Sequence, residues 1–392
     1  MLAFICALIA AASVIVPLYV IRPFVPQDPG QLTMALTVRS WAPWISALCA
    51  LVAVWALFAG WKSARVIGKI VLVLLLLVSV AGATLTHVNV FEVMFKPYPA
   101  PAFESPATTQ VDGDDKVLAV TIGGESHAYP IRTMGYHHIV NDTVGGTPVA
   151  ATYCTLCHTG LIFSRVLDGQ TLTFRLTGIN NGNAMLRDEQ TSTVWQQSTG
   201  EALWGPLKGK RLTVLHSDEL TFATWRNEQP KGMVLKPNAL YAGDYESKNW
   251  DTGITRNPTV VDTSHTGYIP YELMWGVAVD GQSKAYPIKA ILSAGLVEDR
   301  VGDTPVLIVV GPDHTSIRTF KAQLPGQPES LTFVTAAGSG LMTDTGTGSA
   351  WDFHGCAISG SYSGRCMEPI EAHKTFWFDW MHHNPSTTVF KS

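Results

Sequence analysis

The sequence predicts a β-dominated α+β protein: two tandem homologous β-rich units attached to three N-terminal transmembrane helices. Three observations carry that expectation. The front of the chain holds three apolar runs, a motif at 120–149 recurs at 277–306, and beyond residue 90 the apolar residues fall in short runs with no long amphipathic helix. The boundaries read as a transmembrane anchor over 1–87, a first β-rich unit with a Cys/His site over 88–235, and a linker with a second, degenerate unit over 236–392.

The apolar runs lie near 2–21, 41–60 and 67–86 in a chain that is 46% hydrophobic. Each has about 20 residues, enough for a helix to cross ~30 Å of hydrocarbon. The first run lacks a charged leader and two more follow it, so it reads as an anchor rather than a signal peptide. Arg22, Arg39, Lys62, Arg65 and Lys69 against Asp28 alone give the front +4; 22 bases against 30 acids give the remainder −8. An acidic body without a basic run excludes a nucleic-acid footprint. Lys62, Arg65 and Lys69 crowd the short second loop, which the positive-inside rule places in the cytoplasm. The N-terminus then lies inside and the large C-terminal part outside, with the bilayer as partner.

Past the anchor, "KVLAVTI", "PVAATY", "LIFSRVL" and "TLTFRLT" alternate or run apolar and are rich in Val, Ile, Thr and Phe, so they read as strands. Asp168-Gly169 is a hairpin turn signal. "YPIRTMGYHH" is a short helix with Pro130 in its first turn. At an offset of 157, fourteen of the thirty positions 120–149 are identical to their counterparts. Weaker matches follow, including "LTFRLTG" with "LTFVTAA" at 331, and Asp188 and Trp195 with Asp344 and Trp351. The second copy serves as an internal control. Residues present in both copies read as structural. Cys154, Cys157 and His137 meet Gly311, His314 and Ala294, so any chemical site belongs to the first copy.

Cys6 and Cys49 sit inside apolar runs and read as packing residues. Cys356 and Cys366, with Gly360 and Gly364 between them, read as a structural disulfide in an oxidising compartment. His127 meets Lys284 and reads as solvated, Arg165 as an exposed strand residue, "GINNGN" at 178–183 as a loop, and Trp195, Trp351, Trp377 and Trp380 as core.

The runs "HIVNDTVGGTPVAATYCTLCHTGLIFSR" and "LRDEQTSTVWQQSTGEALWGPLKGKRL" resemble a bacterial conserved family of unknown function, whose pattern is H-E-I-V-N-D, then Y-C-P-L-C, then D-R-x-T-x-S-x-W-x-Q. The likeness is strong over about 120–235 and weaker in the second copy. It implies an extracytoplasmic, membrane-attached protein, here on the bacterial inner membrane with the large domain periplasmic or extracellular. It also implies that the family's His falls on His137, its cysteines on Cys154 and Cys157, its Asp on Asp188, and its Trp and Gln on Trp195 and Gln197. This chain departs with His138 for Glu, Thr155 for Pro, and His158 for the usual small residue.

The last departure creates C-T-L-C-H, which supports four chemistries. Haem c attachment has its thiols and axial His158, with Met185 or another His as second ligand, but such motifs open helices and strands flank this one, so haem is disfavoured. A thiol redox pair wants a helix N-terminus at Cys154, where a strand stands instead; redox work remains open without that fold. A zinc, copper or iron knuckle suits a strand–turn–strand, with Cys154, Cys157, His137 and His138 as ligands and His158, Asp188, His382 and His383 as further candidates. A Cys154–Cys157 disulfide would close a small ring that stabilises little. The expected site is therefore a Cys/His-centred transition-metal or thiol-redox centre: Cys154 and Cys157 as ligands or redox couple, His137 as ligand or proton carrier, Asp188 orienting a His. A membrane or extracytoplasmic redox partner accompanies that reading. A non-catalytic structural or interaction module with a 154–157 disulfide is the alternative.

Overall fold

A computed structural model describes residues 1–327, 329–335 and 341–391, so the end of the "LTFVTAA" match lies outside the described residues. Three helices, Leu2–Val20, Pro29–Trp61 and Val66–Leu85, are long and apolar enough to cross a membrane. The second begins well before its apolar run. The Asp28 side chain accepts the Gln31 amide at 2.9 Å, and Pro29 occupies the first turn, a favourable start. Its 33 residues span about 50 Å, longer than the hydrocarbon layer. Gly82 lets helices approach closely, because a Cβ there would meet the Ala10 backbone at 2.9 Å. Cys6 and Cys49 pack beside Ala10, as their apolar setting predicts.

The chain forms two compact units. The first comprises Met1–Lys96, Arg175–Gln196 and Ala202–Lys210. Here strands Phe174–Asn180, Asn183–Asp188, Val194–Gln196 and Ala202–Trp204 form one sheet in chain order. Met185 and Val194 pack against Ile21, Leu32 and Leu36, and Arg39 donates to the Thr177 carbonyl at 2.6 Å. "GINNGN" is a tight hairpin rather than a loop: Asn181 and Gly182 turn it with φ of 48° and 86°.

The second unit comprises Pro97–Phe174, Gln197–Glu201 and Arg211–Ser392. Antiparallel strands Lys116–Ile122 and Glu125–Pro130 lead into the short helix Ile131–His137, which Pro130 precedes as cap residue. Strands Ile139–Val144, Thr147–Cys154 and Thr159–Ser164 then pair consecutively and antiparallel. Leu273–Val279, Gln282–Pro287, helix Ile288–Ala294, Leu296–Val301, Thr304–Val310 and Ile317–Lys321 run in the same order. Val117, Ala128 and Trp225 share one core with Leu307, Phe320 and Trp351. Arg318, 8% exposed, bonds both Asp218 and Glu228 across that core. The Asp168-Gly169 turn forms as expected, and Cys356 and Cys366 are joined by a disulfide.

Two expectations are corrected here. His127 is buried, not solvated: its ring nitrogens lie 2.7 Å from Asp142 and 2.9 Å from Glu125. Burial lowers its pKa, but the two carboxylates outweigh that and raise it overall. Arg165 breaks the predicted strand and turns its guanidinium onto the carbonyls of Leu172 and Asp142, at 2.6 and 3.1 Å. Alternation cannot distinguish an outward charge from one drawn in by carbonyls left over at a bend.

Candidate thiol site

Cys154 ends its strand opposite Thr159, and residues 155–158 form the connecting turn. His158 closes the turn with φ 58°, where a β-carbon is disfavoured; this suits the small residue implied by the family resemblance better than histidine. Cys154 and Cys157 are 2% and 0% exposed, and both are thiols. Strand alternation sends Tyr153 and Cys154 to opposite faces.

The Cys157 carbonyl accepts the Phe376 amide at 2.9 Å. Hydroxyls of Thr159 and Thr375 touch that same carbonyl at 3.2 and 3.3 Å, and also reach Asp379 Oδ2 at 3.4 and 3.3 Å. Ser198 donates to Asp379 Oδ2 at 2.6 Å. Gln197 donates to Thr152 Oγ1 and the Thr159 carbonyl, both at 3.1 Å, and so braces the hairpin. Asp379 and His383 stand one turn apart on helix Trp377–His383, with Oδ1 and Nε2 separated by 3.5 Å. Both atoms are buried without a hydrogen bond, so their contact is electrostatic.

Burial pushes the Cys157 thiol well up, and its hydrogen bond with Cys154 and the Asp379 charge add to that. Burial also opposes ionisation of Asp379, but His383 and the Ser198 hydroxyl win and hold it below the usual carboxylate range. A buried thiol therefore adjoins a buried carboxylate that prefers its charge.

The predicted histidines adjoin the hairpin in the chain pairing: the His138 carbonyl accepts the Tyr153 amide at 2.9 Å, and His158 directly follows Cys157. His137 lies among the rings of Tyr98, Tyr136, Tyr241 and Tyr245, at 5.0 to 5.7 Å, with Nε2 3.1 Å from the Tyr245 hydroxyl. His138 caps its helix in the left-handed region at φ 61°, with Nδ1 3.3 Å from the Tyr136 carbonyl; burial pushes its pKa down to about 4. His158 bonds the Tyr153 hydroxyl at 2.9 Å beneath the Trp250 ring. Asp188 belongs to the first unit, where it accepts the Thr191 amide at 2.5 Å and Trp195 Nε1 at 2.9 Å. Asp344 does the same for Thr347 and Trp351, at 2.6 and 3.1 Å. Both aspartates thus hold a turn and anchor an indole.

Among the described residues, the His, Cys, Asp and Glu ligand atoms gathered within 4.8 Å as a group of three belong to Asp112, Asp114 and Asp115, two of which Lys248 already bridges. Sequence reasoning missed Asp379, which shares hydroxyls with the Cys157 carbonyl, and Ser198 and Thr375 with it. The D-x-x-x-H spacing of Asp379 and His383, which aligns two side chains on a helix, was the available signal.

No curated protein and no solved structure matches the chain. The family model described as "Protein of unknown function (DUF3179)" matches residues 98–387, which hold the whole thiol hairpin and its carboxylate, and the chain belongs to that family.

Proposed function

We propose that the protein is a membrane-anchored, extracytoplasmic thiol–disulfide oxidoreductase module in which Cys154 and Cys157 form the redox couple. One observation carries this reading: two adjacent buried thiols stand in a turn whose Cys157 carbonyl shares the Thr159 and Thr375 hydroxyls with Asp379, a carboxylate held below its usual range with Oδ1 buried and unbonded. In the proposed exchange, Cys154 attacks a partner disulfide R–S–S–R and releases one R–SH. The resulting mixed disulfide is resolved by Cys157, which forms the Cys154–Cys157 bond and releases the second R–SH. Two electrons pass to the partner, and the two thiol protons end on its sulfurs. Asp379 takes the Cys157 proton and returns it to the leaving sulfur. The spacing of the pair suits reversible rather than structural closure, since so short a ring gains little chain entropy. Metal binding by Cys154 and Cys157 with His137 or His138 is the second reading, and the His138 carbonyl pairing with the Tyr153 amide beside Cys154 favours it.

The second half is proposed to be a degenerate repeat. Support comes from the recurring element order, from the paired turns of Asp188 and Asp344, and from Tyr129–Asp142 and Tyr286–Asp299 hydrogen bonds at matching positions. In this reading the second half has lost the thiols and instead supplies Thr375 and Asp379 to the first. The proposed orientation, C-terminal part outside, rests on the loop charges.

The test is a redox titration of the full chain in detergent. After equilibration across thiol–disulfide buffers, alkylation and mass analysis would show Cys154 and Cys157 converting together and reversibly. Thiols that stay reduced at every ratio, or stoichiometric zinc, copper or iron lost in Cys154→Ser, would overturn the proposal.

A further inference from the structure

On the Tyr153 face of the same hairpin, away from Cys154, lies a pocket of about 290 Å³ walled by Lys116, Arg132, Tyr153, His158, Lys374 and Trp250. Among its charges, Asp251 also lines the pocket, with Oδ2 3.8 Å from His158 Nε2. Lys374 is held by Glu219. Lys248, at the rim, is held by Asp112 and Asp114 at 2.9 and 3.0 Å. Arg132 gives Nε to the Glu246 carbonyl at 2.7 Å and Nη1 to Asp115 at 3.2 Å, which leaves its other terminal nitrogen to spare.

Lys116 stands apart. It is half-buried and, among the described residues, has no ion-pair partner within 4.0 Å. The carboxylates whose fields reach it are committed elsewhere: Glu219 to Lys374, Asp114 to Lys248, and Asp313 to Thr221, Thr224 and Ser316. Burial, and then the like charge of Lys374, push its pKa down. A cation withdrawn from water beside another cation is costly unless an anion joins it. The pocket floor adds a strained element, His158 with φ 58°, its ring fixed by Tyr153 and lying 4.9 Å from that of Trp250.

We propose that this pocket binds a small oxyanion-bearing ligand, a carboxylate or a phosphate, held by Lys116 and the spare edge of Arg132. Lys supplies a point charge and Arg a planar fork, the usual combination for an oxyanion. The site does not depend on the thiol chemistry, because strand alternation separates the two faces.

The experiment is titration calorimetry of the full chain in detergent with succinate and, separately, inorganic phosphate. One equivalent of either should bind with a dissociation constant below about 1 mM; whichever binds identifies the carboxylate or the phosphate source. Lys116→Met should weaken binding at least about tenfold, as loss of a charged hydrogen bond does, and Lys116→Arg should restore most of it. Arg132→Gln carries the same test if Lys116→Met fails to fold. Absence of binding by both probes, or unchanged affinity in Lys116→Met and Arg132→Gln, would overturn the proposal.

Discussion

Asp379→Asn puts two opposite effects on Cys157 into competition. Replacing the carboxylate removes a negative charge that raises the thiol's pKa, which by itself makes the thiol easier to ionise and faster to react. The same change removes the proton acceptor that the mechanism requires. General-base assistance contributes roughly a hundredfold, or about 2.7 kcal/mol of barrier. The fold should survive. Of the three hydroxyl contacts to Oδ2, only that of Ser198, at 2.6 Å, is short, and Asn retains an acceptor there. The loss of charge assistance costs about 1–2 kcal/mol against a domain stability of ~5–15 kcal/mol. The assay is single-turnover oxidation of the reduced chain by dithiobisnitrobenzoate, with Cys6 and Cys49 replaced by Ala. Exchange should slow about a hundredfold at neutral pH. An unchanged or faster rate would show that Asp379 acts through its field alone and would refute the proton-transfer role.

Other outcomes follow from the same structure. Arg318→Met strips four bonds of 2.8 to 3.1 Å from Asp218 and Glu228 and leaves both acids partly buried. Urea unfolding should show a loss of about 3–5 kcal/mol; less than about 1 kcal/mol would contradict the buried-pair account. Asp344→Ala orphans the Thr347 and Ser349 amides and the Trp351 indole, at an expected cost of about 2–4 kcal/mol by the same method, whereas Asp344→Asn should cost less. Acid should destabilise the fold through buried neutral histidines. His138 and His373 both have pKa values pushed down to about 4 by burial, so each binds its proton more readily unfolded than folded. Their stabilising contribution is complete above the unfolded value near 6.5 and is lost as pH falls toward 4, by about 3 kcal/mol each. Thermal melts between pH 7 and pH 4 would show the decline, and His138→Gln should flatten it.

Much of the fold was legible because it rests on local rules. Twenty-residue apolar runs, period-two alternation from Lys116 to Ser164, the Asp168-Gly169 turn and the helix after Pro130 each follow from near neighbours in the chain. The Cys356–Cys366 link was equally readable, since glycines let a short segment fold back on itself. The sequence match of 120–149 with 277–306 also set Gly311 and His314 against Cys154 and Cys157.

The surroundings of those cysteines were not legible. Sequence spacing pointed to His137 as the third member of the centre, and its ring packs among those of Tyr98 and Tyr245, which spacing did not reveal. Asp379, which reaches the Cys157 turn through shared hydroxyls, lies more than two hundred positions away, delivered when the Phe376 amide pairs with the Cys157 carbonyl. Periodicity tells a residue which face it occupies. What stands opposite that face depends on long-range pairing and on where desolvated charges find partners, and only the folded chain decides those.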